Sequence, residues 1–305
     1  MRGLWWRPRR FGVVDSLSAS YERCRELHRR HGRTYYLATK FLPSWKRRHV
    51  HALYGFARYA DEIVDSLDSS TPAERRAELE AWGAIFLSGL AGAPVDDPIL
   101  PAVLHTIDVF NLDRADFALF LRSMAMDLTV ATYPNYADLI DYMEGSAAVI
   151  GAMMLPILGA RDLDAADGLA RELGRAFQLT NFIRDIGEDL QRGRIYLPQA
   201  DLALFDVDHA SLSAGMAARS ASPAIRRLVA FEVSRAREHY LAAAPGIAML
   251  EPGSQVCIRT AYRLYQGILD EIERADHDVF ARRAVVPKRR QVVVAAACML
   301  KLART

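Results

Sequence analysis

The sequence predicts an all-α protein built as a single domain. Proline, glycine and helix-capping residues divide the chain into roughly a dozen helical segments, and no stretch keeps the period-2 alternation of a β-strand. The 305 residues are 51% hydrophobic, which is enough for one large core, and no Gly/Ser-rich linker or change in composition divides them. We therefore expect residues 14–305 to form one helical domain behind a short tail.

The first thirteen residues are basic and aromatic. Residues 1–13 hold two tryptophans and four arginines but no apolar segment of the kind that a secretory signal needs. We expect this tail to be disordered, and the alternative is a segment that touches anionic lipid. The longest apolar run, residues 292–300, is much shorter than a membrane span. A cytoplasmic protein is expected, with peripheral contact at the inner membrane face as an addition.

Charge and cysteine content argue against several classes of function. Lysine and arginine total 39 against 37 acidic residues, a balance that gives no reason to expect a nucleic-acid partner. The three cysteines are too few and too widely spaced for a disulfide framework or a zinc site, which suits a reducing cytoplasm. His28 and His31 are interpreted as solvated helix residues rather than as metal ligands.

In the N-terminal part, glycine and proline separate three helices. Asp15 or Ser16 can cap the first helix, and Gly32 ends it. Pro43 closes the second helix, and Ser44 can cap a long third one. The expected spans are 16–31, 33–41 and 44–65.

Further along the chain, capping residues mark the later helices. Thr71 and Glu74 form a capping box, with proline at the first helical position. Asp113 is expected to cap another helix, and Asp164 to begin the helix that Gly193 ends. The expected spans are 72–87, 114–130, 141–158, 164–193, 226–240 and 256–275.

One stretch organises the chain: residues 178–198 read QLTNFIRDIGEDLQRGRIYLP. In a helix, Asn181, Asp185 and Asp189 recur at i, i+4 and i+8, so their oxygens lie along one face. Like charges at this spacing destabilise a helix by roughly a few tenths of a kcal/mol, and a bound cation would explain why they are there. Oxygen ligands without cysteine or histidine favour Mg²⁺, with Mn²⁺ as the alternative.

A second acidic face strengthens this interpretation. Residues 51–65 read HALYGFARYADEIVD, with Asp61 and Asp65 again at i, i+4. Tyr54 and Arg58 precede them at spacings that place all four side chains on one side of a helix. The two faces are about 120 residues apart and can confront each other across a helical bundle. For either face alone, a solvated amphipathic surface would be the better interpretation.

Arginines alternate with the carboxylates of residues 178–198. Arg184 precedes the first aspartate, and Arg192 and Arg194 follow the second. This pattern suits a metal that carries a diphosphate, since arginine pairs well with phosphate oxygens, and Arg58 is placed to do the same. The residues expected to line a channel below the metals are Ala170, Leu173 and Gly174, and Gln178 lies one turn before Asn181. The segment expected to form a rigid lip, which could exclude water, consists of Arg194, Tyr196 and Pro198.

These motifs resemble the squalene and phytoene synthase family, the head-to-head branch of the trans-isoprenyl diphosphate synthases. The resemblance rests on Y-x-F-A-R-Y-A-D-E-I-V-D and Q-L-T-N-F-I-R-D-I-G-E-D-x-x-R-G-R-I-Y-L-P, and it extends over residues 31–288. It implies an isoprenoid synthase fold, a helical bundle around a central cavity. It also implies a Mg²⁺-dependent prenyltransferase acting on prenyl diphosphates.

The resemblance also implies roles for residues outside the two acidic faces. Arg33, Thr34 and Tyr35 fall near the diphosphate or the start of the prenyl chain, and Asp127 falls on an active-site carboxylate. Of the tyrosine pair on the late helix, Tyr262 and Tyr265, one faces the site, and we assign this role to Tyr262. The basic cluster 282–288 is expected either to close over phosphate or to be solvated.

A small-residue segment departs from the family pattern. Where the family shows Y-C-Y-x-V-A-G-x-V-G, this chain keeps Tyr142 and Gly151 in register but has Glu144 in place of the second tyrosine. Tyr142 is hypothesised to assist proton movement, and the depth of the pocket stays open. The small residues of 145–151 either leave space for a hydrocarbon or serve close helix packing.

Two sets of residues summarise the predicted site. The catalytic set is Arg58, Asp61, Asp65, Tyr142, Asp185 and Asp189, and the metal ligands are its four aspartates with Asn181. The substrate-binding set is Arg33, Thr34, Tyr35, Tyr54, Arg58, Gly151, Ala170, Gly174, Gln178, Asn181, Arg184, Arg194, Tyr196 and Tyr262.

The family implies head-to-head condensation of two prenyl diphosphates through a cyclopropylcarbinyl diphosphate. The small-residue segment looks most like that of bacterial phytoene synthases, which makes geranylgeranyl diphosphate the preferred substrate and removes the need for NADPH. The alternatives are a farnesyl-using squalene, hydroxysqualene-pathway or dehydrosqualene synthase, and a non-catalytic assembly factor. Downstream carotenoid enzymes are further candidate partners.

Overall fold

The computed structural model describes residues 16–66 and 70–302, and within them helices are the only regular elements. Fifteen α-helices and one π-helical segment, Glu144–Ala148, follow one another, and no strand forms in these ranges. Two isolated bridges join Thr132 to Ile195 and Ala160 to Leu250. The predicted all-α class is confirmed. The predicted tail, residues 1–13, lies outside the described residues.

The helix bounds follow the proline and glycine punctuation of the sequence. In chain order the helices are α1 Ser16–His31, α2 Arg33–Thr39, α3 Ser44–Val64, α4 Pro72–Leu90, α5 Leu100–Phe110, α6 Arg114–Met126, α7 Tyr136–Met143, α8 Val149–Leu158, α9 Leu163–Gln191, α10 Gln199–Leu204, α11 His209–Ala218, α12 Pro223–Ala243, α13 Gly246–Met249, α14 Pro252–Arg274 and α15 Lys288–Leu302.

Helices α3 and α9 organise the packing. Helix α9 packs against α8, α12, α14 and the π-helical segment, and α3 packs against α1, α5 and α8. The buried hydrophobic residues form two clusters, one around α3 and α8 and the other around α9, α12 and α14. Tyr35 and Phe177 lie against both clusters. These two aromatic residues therefore mark the boundary between them.

The capping predictions are confirmed at two helix starts. Thr71 Oγ1 accepts a hydrogen bond from the Glu74 backbone at 3.2 Å, and the Thr71 backbone N–H donates to Glu74 Oε2 at 2.7 Å. Asp113 caps α6 through the Ala115 N–H at 2.8 Å. Gly193, with a φ of 75°, follows the last turn of α9. A glycine at this position tolerates the left-handed backbone that ends a helix.

Other predicted boundaries were wrong by a few residues. Ser44 is the first residue of α3 rather than its cap, because the extended backbone of Pro43 already leads the chain into the helix. Helix α9 begins at Leu163, one residue before the predicted start at Asp164, because Asp162 has the extended conformation that lets its carboxylate cap the helix at the Ala165 N–H, 3.0 Å away. Helix α6 ends four residues before the predicted boundary.

The predicted exposure of His28 was also wrong. Its side chain is 1% exposed and stacks on Tyr54, with ring centroids 4.1 Å apart. The absence of a side chain at Gly32 permits this contact, because a Cβ there would lie 2.6 Å from the Tyr54 ring. His28 Nδ1 lies 2.9 Å from His51 Nδ1, so the two imidazoles share a hydrogen bond. His31 is partly exposed, as expected.

The small residues near the middle of the chain serve close helix packing. The predicted helix 141–158 is broken by the π-helical segment, which joins α7 to α8. A Cβ at Gly151 would lie 2.2 Å from the Ala170 carbonyl oxygen, and one at Gly174 would lie 2.4 Å from that of Ala147. Two backbones therefore meet where α8 and the π-helical segment cross α9.

We expect Gly174→Ala to destabilise the protein by ~1–3 kcal/mol, because the new methyl group would overlap the Ala147 carbonyl. Gly168→Ala, on the exposed part of the same helix, is the matched control. A Cβ at Gly168 meets no atom within 4 Å, so this change should be neutral or stabilise by ~0.5–1 kcal/mol. Urea denaturation of both variants checks this. Equal stabilities would contradict the close backbone approach.

Candidate active site

The two predicted acidic faces line one cleft. Asp61 lies in the last turn of α3 and Asp65 at its C-terminal cap, while Asp185 and Asp189 lie in the C-terminal third of α9. All four side chains, together with Asn181 one turn earlier on α9, line the same cleft. The geometric core of the sequence prediction is therefore confirmed. Two helices that are far apart in sequence present carboxylates to a shared space.

On the α3 side, arginines neutralise the carboxylates. Arg58 Nη1 donates to Asp61 Oδ2 at 2.7 Å. Asp65 Oδ1 accepts from Arg194 Nη1 at 2.7 Å, and Asp65 Oδ2 lies 3.2 Å from Arg192. The segment after α9 thus reaches back to α3, and one carboxylate holds two cations.

On the α9 side, Asp185 pairs with its neighbour Arg184 and with Arg283, whose Nη2 lies 2.8 Å away. Arg283 also contacts Glu188 at 3.1 Å. Arg283 belongs to the predicted basic cluster 282–288, most of which lines the cleft. This segment therefore lies over the acidic face.

Burial and mutual repulsion raise the pKa values of several of these acids. Enclosure in the cleft, followed by the charge of Asp65, raises the pKa of Asp61 to about 6. Enclosure and the charge of Asp185 raise the pKa of Asp189 to about 8. Burial also raises the pKa of Asp127 to about 6. Neither water nor the arginines fully stabilise the charged forms of these acids, so a divalent cation would find a favourable site here.

The donor atoms fit a hard cation. Asn181 Oδ1 is buried and has no hydrogen-bond partner in the protein, although buried polar atoms are normally paired. The aspartates that line the same cleft supply carboxylate oxygens, the ligands that Mg²⁺ and Mn²⁺ prefer. Among the described residues, no three acidic, histidine or cysteine side chains converge closely enough to hold an ion by themselves. Water or substrate oxygens would have to complete the coordination.

An apolar cavity continues from the cleft into the protein. It lies between α2, α3, α8, α9 and α14, and the predicted channel residues Gly151, Ala170, Leu173 and Gly174 line it. Six residues line both the cleft and the cavity, so the two are continuous: Tyr35, Tyr54, Ala57, Ser146, Gln178 and Asn181.

Aromatic rings surround the junction between cleft and cavity. Tyr35 stacks on Tyr265 with ring centroids 4.5 Å apart, and Phe177 lies 4.6 Å from Tyr265. The cleft side of this junction is charged, and the cavity side is apolar. A molecule with a charged head and a hydrocarbon tail would fit across it.

Asp127 lies in the cleft at the centre of a hydrogen-bonded group. Tyr142 donates to Asp127 Oδ2 at 2.7 Å, and Tyr196 donates to Oδ1 at 3.0 Å. The Tyr196 ring stacks on Phe182, with centroids 4.1 Å apart. Burial and the nearby Asp127 raise the pKa of Tyr142 well above its usual value of 10. Tyr142 therefore keeps its proton and acts as a donor.

Most of the predicted substrate-binding residues lie in this space. Pro198, which was expected to form the lip with Arg194 and Tyr196, precedes α10 and lies outside both the cleft and the cavity. The predicted residues that line the cleft or the cavity are Arg33, Thr34, Tyr35, Tyr54, Arg58, Gly151, Ala170, Gly174, Gln178, Asn181, Arg184, Arg194 and Tyr196.

Tyr262 does not face the site, and Tyr265 occupies the position that the sequence analysis assigned to Tyr262. The Tyr262 hydroxyl donates to the Tyr240 carbonyl at 3.0 Å, and the residue lines neither the cleft nor the cavity. Tyr265 follows Ala261 by four residues and precedes Ile268 by three. Both neighbours face the site, so Tyr265 lies on their face of α14, but the sequence alone carries no signal for which face of α14 that is.

Glu144, the residue that departs from the family pattern, points to α9. Its two carboxylate oxygens accept from Arg171 at 2.7 Å and from Arg175 at 2.6 Å. It lines neither the cleft nor the cavity. The replacement therefore adds an ion pair between helices and leaves the cavity wall to Ser146 and Ala147.

Comparison with known proteins agrees with this geometry. The model of the family described as squalene/phytoene synthase matches residues 28–290. The chain belongs to the squalene/phytoene synthase family. Enzymes of this family transfer prenyl groups, and they use a divalent metal to ionise prenyl diphosphates.

Two cyanobacterial relatives cover nearly the whole chain. The phytoene synthase of Arthrospira platensis is 38% identical over 283 residues, which span 88% of this chain and 89% of that protein. The 15-cis-phytoene synthase of Synechococcus elongatus is 34% identical over 308 residues, which span 97% of this chain and 96% of that protein.

Solved structures share the fold over almost their full length. A dehydrosqualene synthase bound to a ligand has a TM-score of 0.85 at 25% identity, covering 95% of this chain and 98% of that one. The squalene synthase HpnC from Alicyclobacillus acidocaldarius has a TM-score of 0.76 at 29% identity, covering 87% and 97%. The predicted isoprenoid synthase fold is thus confirmed. In the part of the chain that the structure describes, no helix combines the length and apolarity needed to cross a bilayer.

We expect Tyr265→Leu to lower kcat/KM for prenyl diphosphate condensation by about tenfold, because it removes the aromatic stack at the junction. Tyr262→Leu, on the same helix, should lower thermal stability but leave kcat/KM per folded enzyme unchanged. Steady-state kinetics and thermal denaturation of both variants measure this. A larger loss of kcat/KM in Tyr262→Leu than in Tyr265→Leu would instead support Tyr262 as the tyrosine that faces the site.

Proposed function

We propose that this chain is a phytoene synthase, which joins two molecules of geranylgeranyl diphosphate head to head in carotenoid biosynthesis. The reaction proceeds through a cyclopropyl intermediate, prephytoene diphosphate, and releases two diphosphates. The observation that carries the proposal is that two aspartate pairs share one cleft, which opens directly into an apolar cavity. The two cyanobacterial relatives are named phytoene synthases and align with most of this chain, which supports the same reaction.

The proposed metal is Mg²⁺, with Mn²⁺ as the alternative. The oxygen-only donor set and the unpartnered Asn181 Oδ1 support this assignment. When bound, the metal would neutralise negative charge on the diphosphate as it leaves. The residues that would hold it are Asp61, Asp65, Asn181, Asp185 and Asp189.

The arginines of the cleft form the second part of the proposed chemistry. Arg58, Arg184 and Arg194 are now paired with aspartates. Once a cation satisfies those aspartates, the guanidinium groups are free to donate to diphosphate oxygens. Because negative charge on the diphosphate grows as the C–O bond breaks, these contacts strengthen along the reaction and lower its barrier.

The apolar cavity protects the prenyl cation that remains. Water would quench such a cation, and the cavity walls offer it almost no polar atoms. The rings of Tyr35, Phe177 and Tyr265 lie at the junction where the cation forms. A π face can stabilise a cation by about 0.5–2 kcal/mol.

Formation of phytoene ends with the loss of a proton. We propose that Asp127, with Tyr142 bound to it, accepts this proton. The Tyr142 hydroxyl donates a hydrogen bond to Asp127 Oδ2 at 2.7 Å. This hydrogen bond orients the carboxylate, whose raised pKa of about 6 makes it a better proton acceptor than an ordinary aspartate. The proposed reaction needs no hydride, so NADPH is not part of it.

A farnesyl-using squalene or dehydrosqualene synthase is the runner-up. Its support is the fold shared with such enzymes at 25% and 29% identity. The phytoene synthases are more similar in sequence, at 38% and 34%, and this favours the longer substrate. A non-catalytic assembly role is not favoured, because both aspartate pairs and their arginines line the cleft.

We also propose a cytoplasmic location with peripheral contact at the inner membrane face. Both the substrate tails and the hydrocarbon product partition into lipid, which supports such contact. Downstream carotenoid enzymes that accept the hydrocarbon are proposed partners.

Purified protein supplied with Mg²⁺ and geranylgeranyl diphosphate is expected to release phytoene, at a rate that does not change when NADPH is added. Farnesyl diphosphate should give a much lower kcat/KM. Product analysis by liquid chromatography with mass detection separates the candidates. A C30 product formed preferentially would favour the runner-up, and the absence of any product would contradict both.

Asp61→Asn and Asp185→Asn should each lower kcat by at least about 100-fold, because each removes a charged oxygen ligand from one face of the cleft. Asp164→Asn is the matched control, since it changes an exposed aspartate in the first turn of α9. Its kcat should equal that of the unmodified enzyme. An undiminished rate in either cleft variant would contradict the metal roles.

A further inference from the structure

The apolar cavity has one open end and one closed end. Helices α3, α9 and α14 all run towards the cleft, because their C-terminal parts line it, while α8 runs away from it. On α9, Asn181 lies at the junction and Ala166 lines the cavity fifteen residues earlier. At the rise of an α-helix this is a distance of about 22 Å. The far end of the cavity therefore lies near the start of α9, away from the cleft.

The closed end is built where α8 ends and α14 begins. Leu158 and Leu250, each 3% exposed, line the cavity there. The chain segments that follow α8 and precede α14 are joined by two backbone hydrogen bonds, Glu251 N to Gly159 O at 2.7 Å and Arg161 N to Met249 O at 3.0 Å. These bonds hold the two leucines side by side.

Lys46 fastens this end to α3. Its side chain is 2% exposed, and its ammonium group donates to the Leu158 carbonyl at 2.8 Å, to Glu251 Oε2 at 2.7 Å and to Ser254 Oγ at 3.4 Å. These contacts use all three donors of a lysine. We call Lys46, Glu251 and Ser254 the end clamp. It joins the first turn of α3 to the end of α8 and the start of α14.

The packing around the end clamp leaves little freedom. Ser254 Oγ also donates to the Leu158 carbonyl, at 2.6 Å, so two donors fix this oxygen. Gly159 has a φ of 77°, and a Cβ there would lie 2.5 Å from Glu251 Cδ. The glutamate thus fills the space that any larger residue would need. Since α3, α8 and α14 also form the cavity walls, the clamp fixes both the position of the end and the spacing of the walls.

A buried lysine is an unusual way to hold an apolar surface. A well-packed apolar side chain commonly stabilises a fold as well as a buried charged side chain with its partner does, so stability alone gives no reason for a lysine here. A charged clamp with three directional bonds does define position more strictly than apolar contact.

We propose that the end clamp sets the length of the prenyl chain that the enzyme accepts, by fixing Leu158 and Leu250 at the closed end of the cavity. This inference rests on the proposed function. A prenyl chain shorter than the cavity ends before these leucines, so its binding does not depend on them. A chain one isoprene unit too long meets them and is rejected as long as the clamp holds.

Lys46→Met and Glu251→Ala test this inference. In each variant, kcat/KM is measured with farnesyl, geranylgeranyl and geranylfarnesyl diphosphate, which carry 15, 20 and 25 carbons. The ratio of kcat/KM for the 25-carbon to the 20-carbon substrate is expected to rise about tenfold. The value for the 15-carbon substrate should stay unchanged. Glu251→Ala leaves the buried Lys46 ammonium without its anionic partner, whereas Lys46→Met removes that charge, so a change in substrate ratio shared by both variants reports on the clamp and not on an unpaired charge.

Glu273→Ala is the matched control, because it removes a half-exposed ion pair with Arg237 from the other end of α14. Its substrate ratios should equal those of the unmodified enzyme. If both clamp variants lose activity equally with all three substrates, or lose only thermal stability, the clamp is purely structural and the inference is overturned. Failure of the unmodified enzyme to turn over any of the three substrates would instead contradict the proposed function.

Discussion

Repulsion between carboxylates at the C-terminal ends of α3 and α9 is the constraint on which the rest of the structure depends. Asp61 and Asp65 on one helix face Asp185 and Asp189 on the other across one cleft. The C-terminal end of a helix already carries partial negative charge, so the helix dipole does not relieve this repulsion. Arginines relieve part of it, but burial, followed by the neighbouring aspartate, still raises the pKa values of Asp61 and Asp189. The remaining charge is what a divalent cation and its diphosphate would use.

The same helices carry the apolar half of the site, and this joins packing to function. Close approach of backbones at Gly151 and Gly174 brings α8 and the π-helical segment against α9. The π-helical segment places Ser146 where cleft and cavity meet, and such segments often occur at functional sites. The small residues thus act by letting helices approach, and the cavity is the space that remains between them.

The sequence was sufficient for the features that follow from spacing within one helix. The i, i+4 aspartates, the capping box at Thr71 and the all-α class all depend on local pattern. It was insufficient where side chains meet across helices. Tyr265 rather than Tyr262 faces the site because of how α14 is rotated against α2 and α9, and His28 is buried because Tyr54 of another helix covers it. Arg283 was identified only as part of a basic cluster, since its contact with Asp185 spans 98 residues.

The central claim is that both aspartate pairs act together to hold metal and diphosphate. Isothermal titration of inorganic pyrophosphate into the protein, with and without Mg²⁺, measures this directly. The account predicts tight binding that requires Mg²⁺ and is lost to a similar degree in Asp65→Asn and Asp189→Asn, one variant from each helix. Binding that is independent of Mg²⁺, or that survives unchanged when either helix is altered, would contradict it.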